Sequence, residues 1–149
     1  MTKKKNILKY YSYTAAYAKM TAAIKQGFYL EAITIQESII TDRLLSFAVQ
    51  SKLLQVTSDK MYAQSLSKLI KLAKPYFESD TILLNLEKFR ENRNYCMHSF
   101  VKSFPGKPTI AVNDFEELSK KTAKEGRKVT REIDSWRKKM KNTQLKIYT

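Results

Sequence analysis

The stretch FYLEAITIQESIITDRLLSFAVQSKLLQV, residues 28–56, decides the fold of this chain. It contains neither glycine nor proline, so no residue in it is a strong helix breaker. Apolar side chains recur along it at helical intervals, at Ile33, Ile40, Leu44, Phe47 and Leu54. Because residues at such spacing share one face of an α-helix, the pattern predicts a long amphipathic helix over the whole stretch.

A second apolar stripe runs along the same predicted helix, well away from the first, at Phe28, Ile35, Ile39 and Leu53. A helix that is apolar on two sides needs neighbours on more than one side. We therefore expect this helix either at the centre of a bundle or at a dimer interface.

Helical patterns continue on both sides of this segment. Gly27 stands where a C-terminal cap would end a first helix, and Pro75 ends a short third one. Ser79 and Asp80 cap a fourth helix, and Asn113 opens the last one. The further predicted helices cover, within a few residues, positions 7–26, 60–73, 80–100 and 113–140.

The composition agrees with an all-helical chain. Only three glycines and three prolines occur in 149 residues, which leaves few turn points for an all-β fold. A chain of this length suits a single hydrophobic core. We predict one all-α domain over residues 1–149, an antiparallel bundle of four to five helices.

The charge of the chain indicates its partners. It is +14, from 28 Lys and Arg against 14 Asp and Glu. Such a field attracts polyanions, so nucleic acid is the expected partner, although an anionic membrane surface would be attracted in the same way.

No apolar run is long enough to span a bilayer, and the start lacks the apolar stretch of a secretion signal. The single cysteine, Cys96, fits a reducing compartment, so we expect a cytoplasmic protein.

One charged residue interrupts the apolar ladder of the fourth helix. The ladder runs through Leu86 and Phe89, and Arg93 takes the next rung. His98, the only histidine, follows on the same helix, and Asn94 stands directly after the arginine. An imidazole general acid or base in this chain must therefore be His98.

The run Arg93-Asn94-Tyr95-Cys96-Met97-His98 resembles the Arg-x4-6-His signature of the HEPN superfamily. That superfamily consists of helical bundles that include toxins, defence nucleases and RNA-processing ribonucleases. The resemblance implies RNA cleavage to a 2′,3′-cyclic phosphate with no catalytic metal and no cofactor. It also implies a composite site at a homodimer interface.

One position departs from the family pattern. HEPN toxins silenced by a paired nucleotidyltransferase carry a tyrosine two residues after the histidine, where AMP is attached. This chain has Phe100 there. We therefore expect control by a binding antitoxin, by another regulatory protein or by substrate supply.

The residue types suit this chemistry. Metal-free RNA cleavage needs a base for the 2′-hydroxyl proton, an acid for the leaving 5′-oxygen and positive charge on the phosphate. Histidine titrates near neutrality, and arginine offers a planar fork that matches two phosphate oxygens. Arg93 and His98 are roughly 140° apart around an ideal helix and about 7.5 Å apart along it. They do not share a face, so a frayed helix end or a second copy is needed to bring them together.

Glu37 is the second charged residue on an apolar stripe, between Ile33 and Ile40. A carboxylate that faces a core needs a cation or hydrogen-bond donors. We hypothesise that Glu37 pairs with Arg93 or orients His98. Asn94 is the further candidate for holding the phosphate or the imidazole.

The last predicted helix is rich in lysine and arginine. Such a run is often a solvated face, but its length favours a track for the RNA backbone. Arg137 belongs to the same run, and the tyrosines of the first helix and Trp136 are candidates for base stacking or for the core. The predicted RNA-binding residues are Lys102, Lys120, Lys124, Arg127, Lys128 and Arg131.

Three functions are compatible with these features. The first is a homodimeric endoribonuclease with Arg93, His98, Asn94 and Glu37 at its site, acting as a toxin or antiphage-defence effector. The second is a catalytically silent HEPN-like module that binds nucleic acid or a partner protein. In that case Arg93 forms an internal salt bridge and His98 lies at a helix end without a function. The third is a peripheral protein drawn to anionic lipid.

Overall fold

The structure, a computed structural model, describes residues 2–55, 64–99, 105 and 110–148. These residues form an all-α bundle, as predicted, and contain no β-strand. A short 3₁₀ helix, Lys74–Tyr76, follows the third helix. The five α-helices are α1 Thr2–Gln26, α2 Tyr29–Gln50, α3 Leu66–Ala73, α4 Asp80–Ser99 and α5 Val112–Tyr148.

Helix α2 is the central helix, which confirms one of the two expectations for it. It packs against α1, α3, α4 and α5. The first apolar stripe is fully buried from Ile33 to Phe47, whereas Leu54, its last predicted member, lies beyond the helix end and is half-buried. Helix α5 runs alongside α2 in the same direction, since Gln36 bonds to Ala123 near one end and Gln50 to Arg137 near the other. Helix α1 runs antiparallel to α2, and α4 runs antiparallel to α5.

Helix α2 ends earlier than predicted, at Gln50 rather than near Val56. Lys52 adopts a left-handed conformation with φ 58°. Lys52 N then donates to Val49 O at 3.1 Å, and Leu53 N donates to Ala48 O at 2.9 Å. This hydrogen-bond pair is a Schellman motif, which satisfies the last carbonyls of a helix. Gly27 ends α1 in the same way, with φ 84°, as the sequence predicts.

Three other helix bounds differ from the prediction. Helix α1 begins at Thr2, five residues before the predicted start at residue 7. Helix α3 begins at Leu66, because the Ser65 hydroxyl caps it by accepting from Lys68 N at 3.2 Å; residue 60, the predicted start, lies outside the described residues. Helix α5 continues to Tyr148, beyond the predicted end near residue 140. The described helices include no segment that is both long and apolar enough to cross a membrane.

A close approach of three helices lies at the middle of the core. The Gln36 side chain of α2 is fully buried, and its Nε2 donates to Ala123 O of α5 at 2.7 Å. Gly126 of α5 faces both this amide and Phe89 of α4. A Cβ at this glycine would lie 2.6 Å from the Phe89 ring and closer still to Gln36 Oε1. The absence of a side chain at Gly126 therefore sets the spacing of α2, α4 and α5.

Candidate active site on helix α4

Arg93 lies on the side of α4 that faces α2, and its guanidinium contacts Glu37. The distance from Arg93 Nε to Glu37 Oε2 is 2.5 Å, and the two side chains are 25% and 24% exposed. Of the two hypotheses for Glu37, this contact confirms the ion pair with Arg93. The Nε hydrogen does not point at the carboxylate with hydrogen-bond geometry, so the contact is mainly electrostatic.

Asn94 contacts the arginine. Its Oδ1 accepts a hydrogen bond from Arg93 Nη1 at 2.8 Å. Together, Glu37 and Asn94 fix the guanidinium at the surface, and they engage Nε and Nη1. The remaining N–H donors of the guanidinium are the groups that a phosphate could use.

His98 lies in the last turn of α4 and is exposed. The helix is continuous from Arg93 to Ser99, so no frayed helix end brings the imidazole back towards the guanidinium. The two side chains therefore point in different directions within one copy, as expected for an angular separation of roughly 140°. Because α4 has no frayed end here, a second copy remains the expected way to bring the two side chains together.

Of the residues near Arg93 and His98 on α4, some lie in the core and others at the surface. Cys96 is buried, with its Sγ 3.7 Å from Thr122 Oγ1, so the apolar ladder passes through Cys96. Met97 is exposed. Phe100 and Lys102 lie outside the described residues. Among the residues that the structure describes, no three His, Cys, Asp or Glu side chains are grouped as metal ligands would be.

Most of the basic residues predicted on α5 are at the surface. Lys120, Lys124, Lys128 and Arg131 are exposed, and Arg127 is half-buried. Their spacing places all but Lys128 along one stripe about 17 Å long. Lys128 instead lines a groove between α4 and α5 together with acidic and amide side chains.

Arg137 does not belong to this basic surface, contrary to the prediction. Its side chain is only 3% exposed, and its Nη2 donates to Gln50 Oε1 and, at 3.4 Å, to Ser46 Oγ. Burial lowers the pKa of the guanidinium, and the nearby Arg43 lowers it further. Trp136 is also in the core, where its Nε1 donates to Tyr76 O at 3.2 Å.

Within the described part of one copy, Arg93 and the groove between α4 and α5 lie on different sides of α4. Arg93 faces α2, whereas Asn92 and Lys88 line the groove towards α5. Successive residues of a helix differ by about 100°, which explains how neighbours such as Asn92 and Arg93 face different helices. Arg93 therefore does not face this groove.

Sequence reasoning missed a second polar cluster, where α1, α2 and α5 meet. Arg43 of α2 lies between Tyr13 of α1 and Asp134 of α5: its Cζ is 4.0 Å from the ring centroid, and its Nε is 2.9 Å from Oδ1. Tyr17 OH donates to Asp134 Oδ2 at 3.3 Å, and Tyr13 OH donates to Asp42. The helical spacing of the tyrosines indicated a shared face, but the carboxylates come from two other helices.

The tyrosines of this cluster resist ionisation. Burial, followed by the charge of Asp134 and the hydrogen bond to it, raises the pKa of Tyr17 to about 12. Burial and the hydrogen bond to Asp42 raise the pKa of Tyr13 as well. The phenols therefore stay neutral donors at physiological pH.

No family model, curated protein or solved structure matches this chain significantly. The resemblance to HEPN proteins thus rests on Arg93, Asn94 and His98 and on the helical order. The geometry that bears on function is a half-buried, doubly held guanidinium and an exposed imidazole on one continuous helix.

Proposed function

We propose that this protein is a metal-independent endoribonuclease of the HEPN kind that acts as a toxin or antiphage-defence effector. Arg93 and His98 of two copies form a composite site in a cytoplasmic homodimer, and an antitoxin or another regulatory protein restrains it. The observation that carries the proposal is the guanidinium of Arg93, held at the surface by Glu37 and Asn94, on the same helix as His98, which is the only histidine of the chain.

The chemistry follows from these two side chains. One imidazole accepts the 2′-hydroxyl proton while the 2′-oxygen bonds to phosphorus, and a second imidazole, from the other copy, protonates the leaving 5′-oxygen. The products are a 2′,3′-cyclic phosphate and a 5′-hydroxyl. Arg93 places positive charge on the non-bridging oxygens as the phosphorus becomes five-coordinate.

Glu37 has a positioning role in this proposal. Its carboxylate holds Arg93 Nε at 2.5 Å, which orients the remaining donors of the guanidinium before the substrate arrives. Asn94 restricts the guanidinium from the other side through Nη1. The exposed basic stripe of α5, with Lys120, Lys124 and Arg131, would hold the RNA backbone.

The same ion pair supports a second candidate function. A guanidinium whose charge is neutralised by Glu37 attracts a phosphate less strongly than a free one. In this alternative the pair only joins α2 to α4, and the protein is a catalytically silent helical module that binds nucleic acid or a partner protein.

Cleavage assays separate the two candidates. Wild type, Arg93→Ala and His98→Ala are incubated with single-stranded RNA in EDTA, and the products are tested for cyclic phosphate ends. The matched control is Arg90→Ala, because Arg90 is also half-exposed on α4 and also pairs with a glutamate, Glu87, at 3.0 Å. We expect cleavage by wild type and Arg90→Ala, and a rate loss of about 10²–10⁴-fold for the other two.

Two results would contradict the endoribonuclease. Full cleavage by His98→Ala would show that the imidazole takes no part in the reaction. Cleavage that disappears in EDTA would show that the reaction needs a metal ion. The composite site has its own test, in which wild type is mixed with His98→Ala and allowed to exchange. The activity per wild-type chain then falls as the mutant is added, whereas a constant value would show that each copy acts alone.

A further inference from the structure

A groove separate from Arg93 and His98 lies where α1, α2 and α5 meet. Its volume is about 600 Å³, which is within the usual range of about 300–1,000 Å³ for ligand sites. Four cationic side chains line it, against a single carboxylate, that of Asp134. The lining cations are Lys9, Arg43, Lys138 and Lys141.

The inner wall of this groove is fixed by its own contacts. Arg43 is sandwiched between the Tyr13 ring and Asp134, and Tyr17 bonds to the same carboxylate. These groups link the three helices along the inner wall through an ion pair, a cation–π contact and a hydrogen bond. Their charges nearly cancel, so the wall itself attracts an anion weakly.

The rim is different, because its groups project into solvent. Tyr10 is 67% exposed and offers an aromatic ring. The Lys138 side chain is 73% exposed, and its Nζ is 3.8 Å from Asp134, a distance at which an exposed ion pair is weak. Lys141 is exposed one turn further along α5. The rim therefore combines a stacking surface with exposed cations.

We infer that this groove binds one nucleotide of a single-stranded RNA, with the base stacked on the Tyr10 ring and the phosphate held by Lys138 and Lys141. A nucleotide is the ligand class that has both a flat π-face and an anion within one short unit. A free phosphate would leave the aromatic wall unused, and a duplex would keep its bases stacked away from Tyr10.

The position of Lys138 connects the groove to the basic stripe of α5. Lys138 follows Arg131 by seven residues, which is about two helical turns, so both lie on the same face of α5. An RNA strand along Lys120, Lys124 and Arg131 thus leads directly to the groove. The inference rests on the proposed function for the choice of RNA, but the groove itself does not depend on cleavage.

Binding is measured with a fluorescent 2′-O-methyl oligoribonucleotide of about 12 nucleotides, a length within the site sizes of single-strand binders. This probe lacks the attacking hydroxyl and cannot be cleaved. We expect Tyr10→Ala to raise Kd by roughly 5- to 20-fold and Tyr10→Phe to change it by less than about 2-fold, since phenylalanine keeps the stacking face. Lys138→Ala and Lys141→Ala should each reduce the slope of log Kd against log salt by about 1.

Phe28→Ala is the matched control. Phe28 is an aromatic residue that is 55% exposed and does not line the groove. Equal weakening by Tyr10→Ala and Phe28→Ala, or no weakening by either, would overturn the inference. Two other results would also overturn the inference. If light scattering shows a changed oligomeric mass for Tyr10→Ala, Tyr10 serves self-association. If a duplex binds as tightly as the single strand, the binding is only an effect of charge.

The two proposals fail separately. If wild type binds the probe through Tyr10 but cleaves no RNA, the groove stands and the endoribonuclease does not. If wild type cleaves RNA through His98 while Tyr10→Ala and both lysine variants bind the probe like wild type, the endoribonuclease stands and the groove does not.

Discussion

Gly126→Ala tests the close approach at the centre of the bundle. In an ordinary helix interior, alanine is favoured over glycine by about 1 kcal/mol. Here the new Cβ meets two neighbours, the Phe89 ring at 2.6 Å and the Gln36 amide. Because both partners are buried, neither can move into solvent without opening the core.

The expected cost can be assembled from these contacts. Overpacking a well-filled core costs about 1–3 kcal/mol. Displacing Gln36 breaks its 2.7 Å bond to Ala123 O, which leaves buried polar groups unpaired at a cost of about 1–3 kcal/mol. After subtracting the gain in helix propensity, we expect the free energy of unfolding to fall by about 1–5 kcal/mol. For a chain of this size, Tm should then fall by about 3–15 °C.

Thermal and urea unfolding followed by far-UV circular dichroism measure both quantities. Ser135→Ala is the control on the same helix, because Ser135 is exposed and alanine there should raise stability by a few tenths of a kcal/mol, or about 0.5 at most. In a Gln36→Ala background, one of the two clashes is absent, so the cost of Gly126→Ala should shrink. A Gly126→Ala protein that is more stable than wild type would refute the close approach, since helix propensity alone would then account for the change.

Two further predictions concern the C-terminal end of α2 and the tyrosine cluster. Lys52→Gly should raise the free energy of unfolding by about 0.5–1 kcal/mol, because Lys52 has φ 58° and glycine adopts this conformation without strain. Urea unfolding measures the change, and Lys68→Gly, within helix α3, is the control that should destabilise the protein. The pKa of Tyr17 is raised from 10.0 to about 12, so its contribution to stability is present below pH 10 and is lost as the pH rises towards 12. The free energy of unfolding of Tyr17→Phe should therefore fall less steeply between pH 10 and 12 than that of wild type. The same pH dependence in both proteins would show that Asp134 does not raise the pKa of Tyr17.

The central part of the fold could be predicted from the sequence because it depends on local periodicity. The first apolar stripe of α2 fixed which face is buried, and a carboxylate within that stripe required a cation. Arg93 occupied a core-facing position on the ladder of α4, so the pair of Glu37 and Arg93 was one of the two hypotheses, beside a contact of Glu37 with His98. The structure contains that pair at 2.5 Å.

The end of α2 could not be predicted in the same way. No glycine marks it, and a lysine takes the left-handed position instead. The turn forms because Leu53 and Leu54 fold back against the core, which is a tertiary contact that offsets the local strain. Periodicity alone extends the helix, since the apolar pattern continues through both leucines.

The misplacement of Arg137 has a related cause. Its neighbours in sequence, Lys138 and Lys139, are exposed. All three residues are long and positively charged, so the sequence alone does not show which of them is buried. Only the approach of α2, which supplies Gln50 and Ser46 as hydrogen-bond partners, distinguishes the buried arginine. Partners that come from a distant helix leave no local signal, and the same holds for Asp42 and Asp134 around the tyrosines of α1.

Helix α2 connects the two proposed sites. Glu37 and Arg43 are about 9 Å apart along its axis and about 120° apart around it, and each holds a charged residue of another helix: Arg93 of α4 and Asp134 of α5. Catalysis and strand binding are therefore carried by different side chains on different faces, which is why single variants can separate them. They nevertheless share one packed core, and Gly126 sets the spacing of the three helices within it. A variant that disturbs this spacing, such as Gly126→Ala, should impair cleavage and RNA binding together. In contrast, His98→Ala should impair only cleavage, and Tyr10→Ala should impair RNA binding directly and cleavage only through the weaker binding.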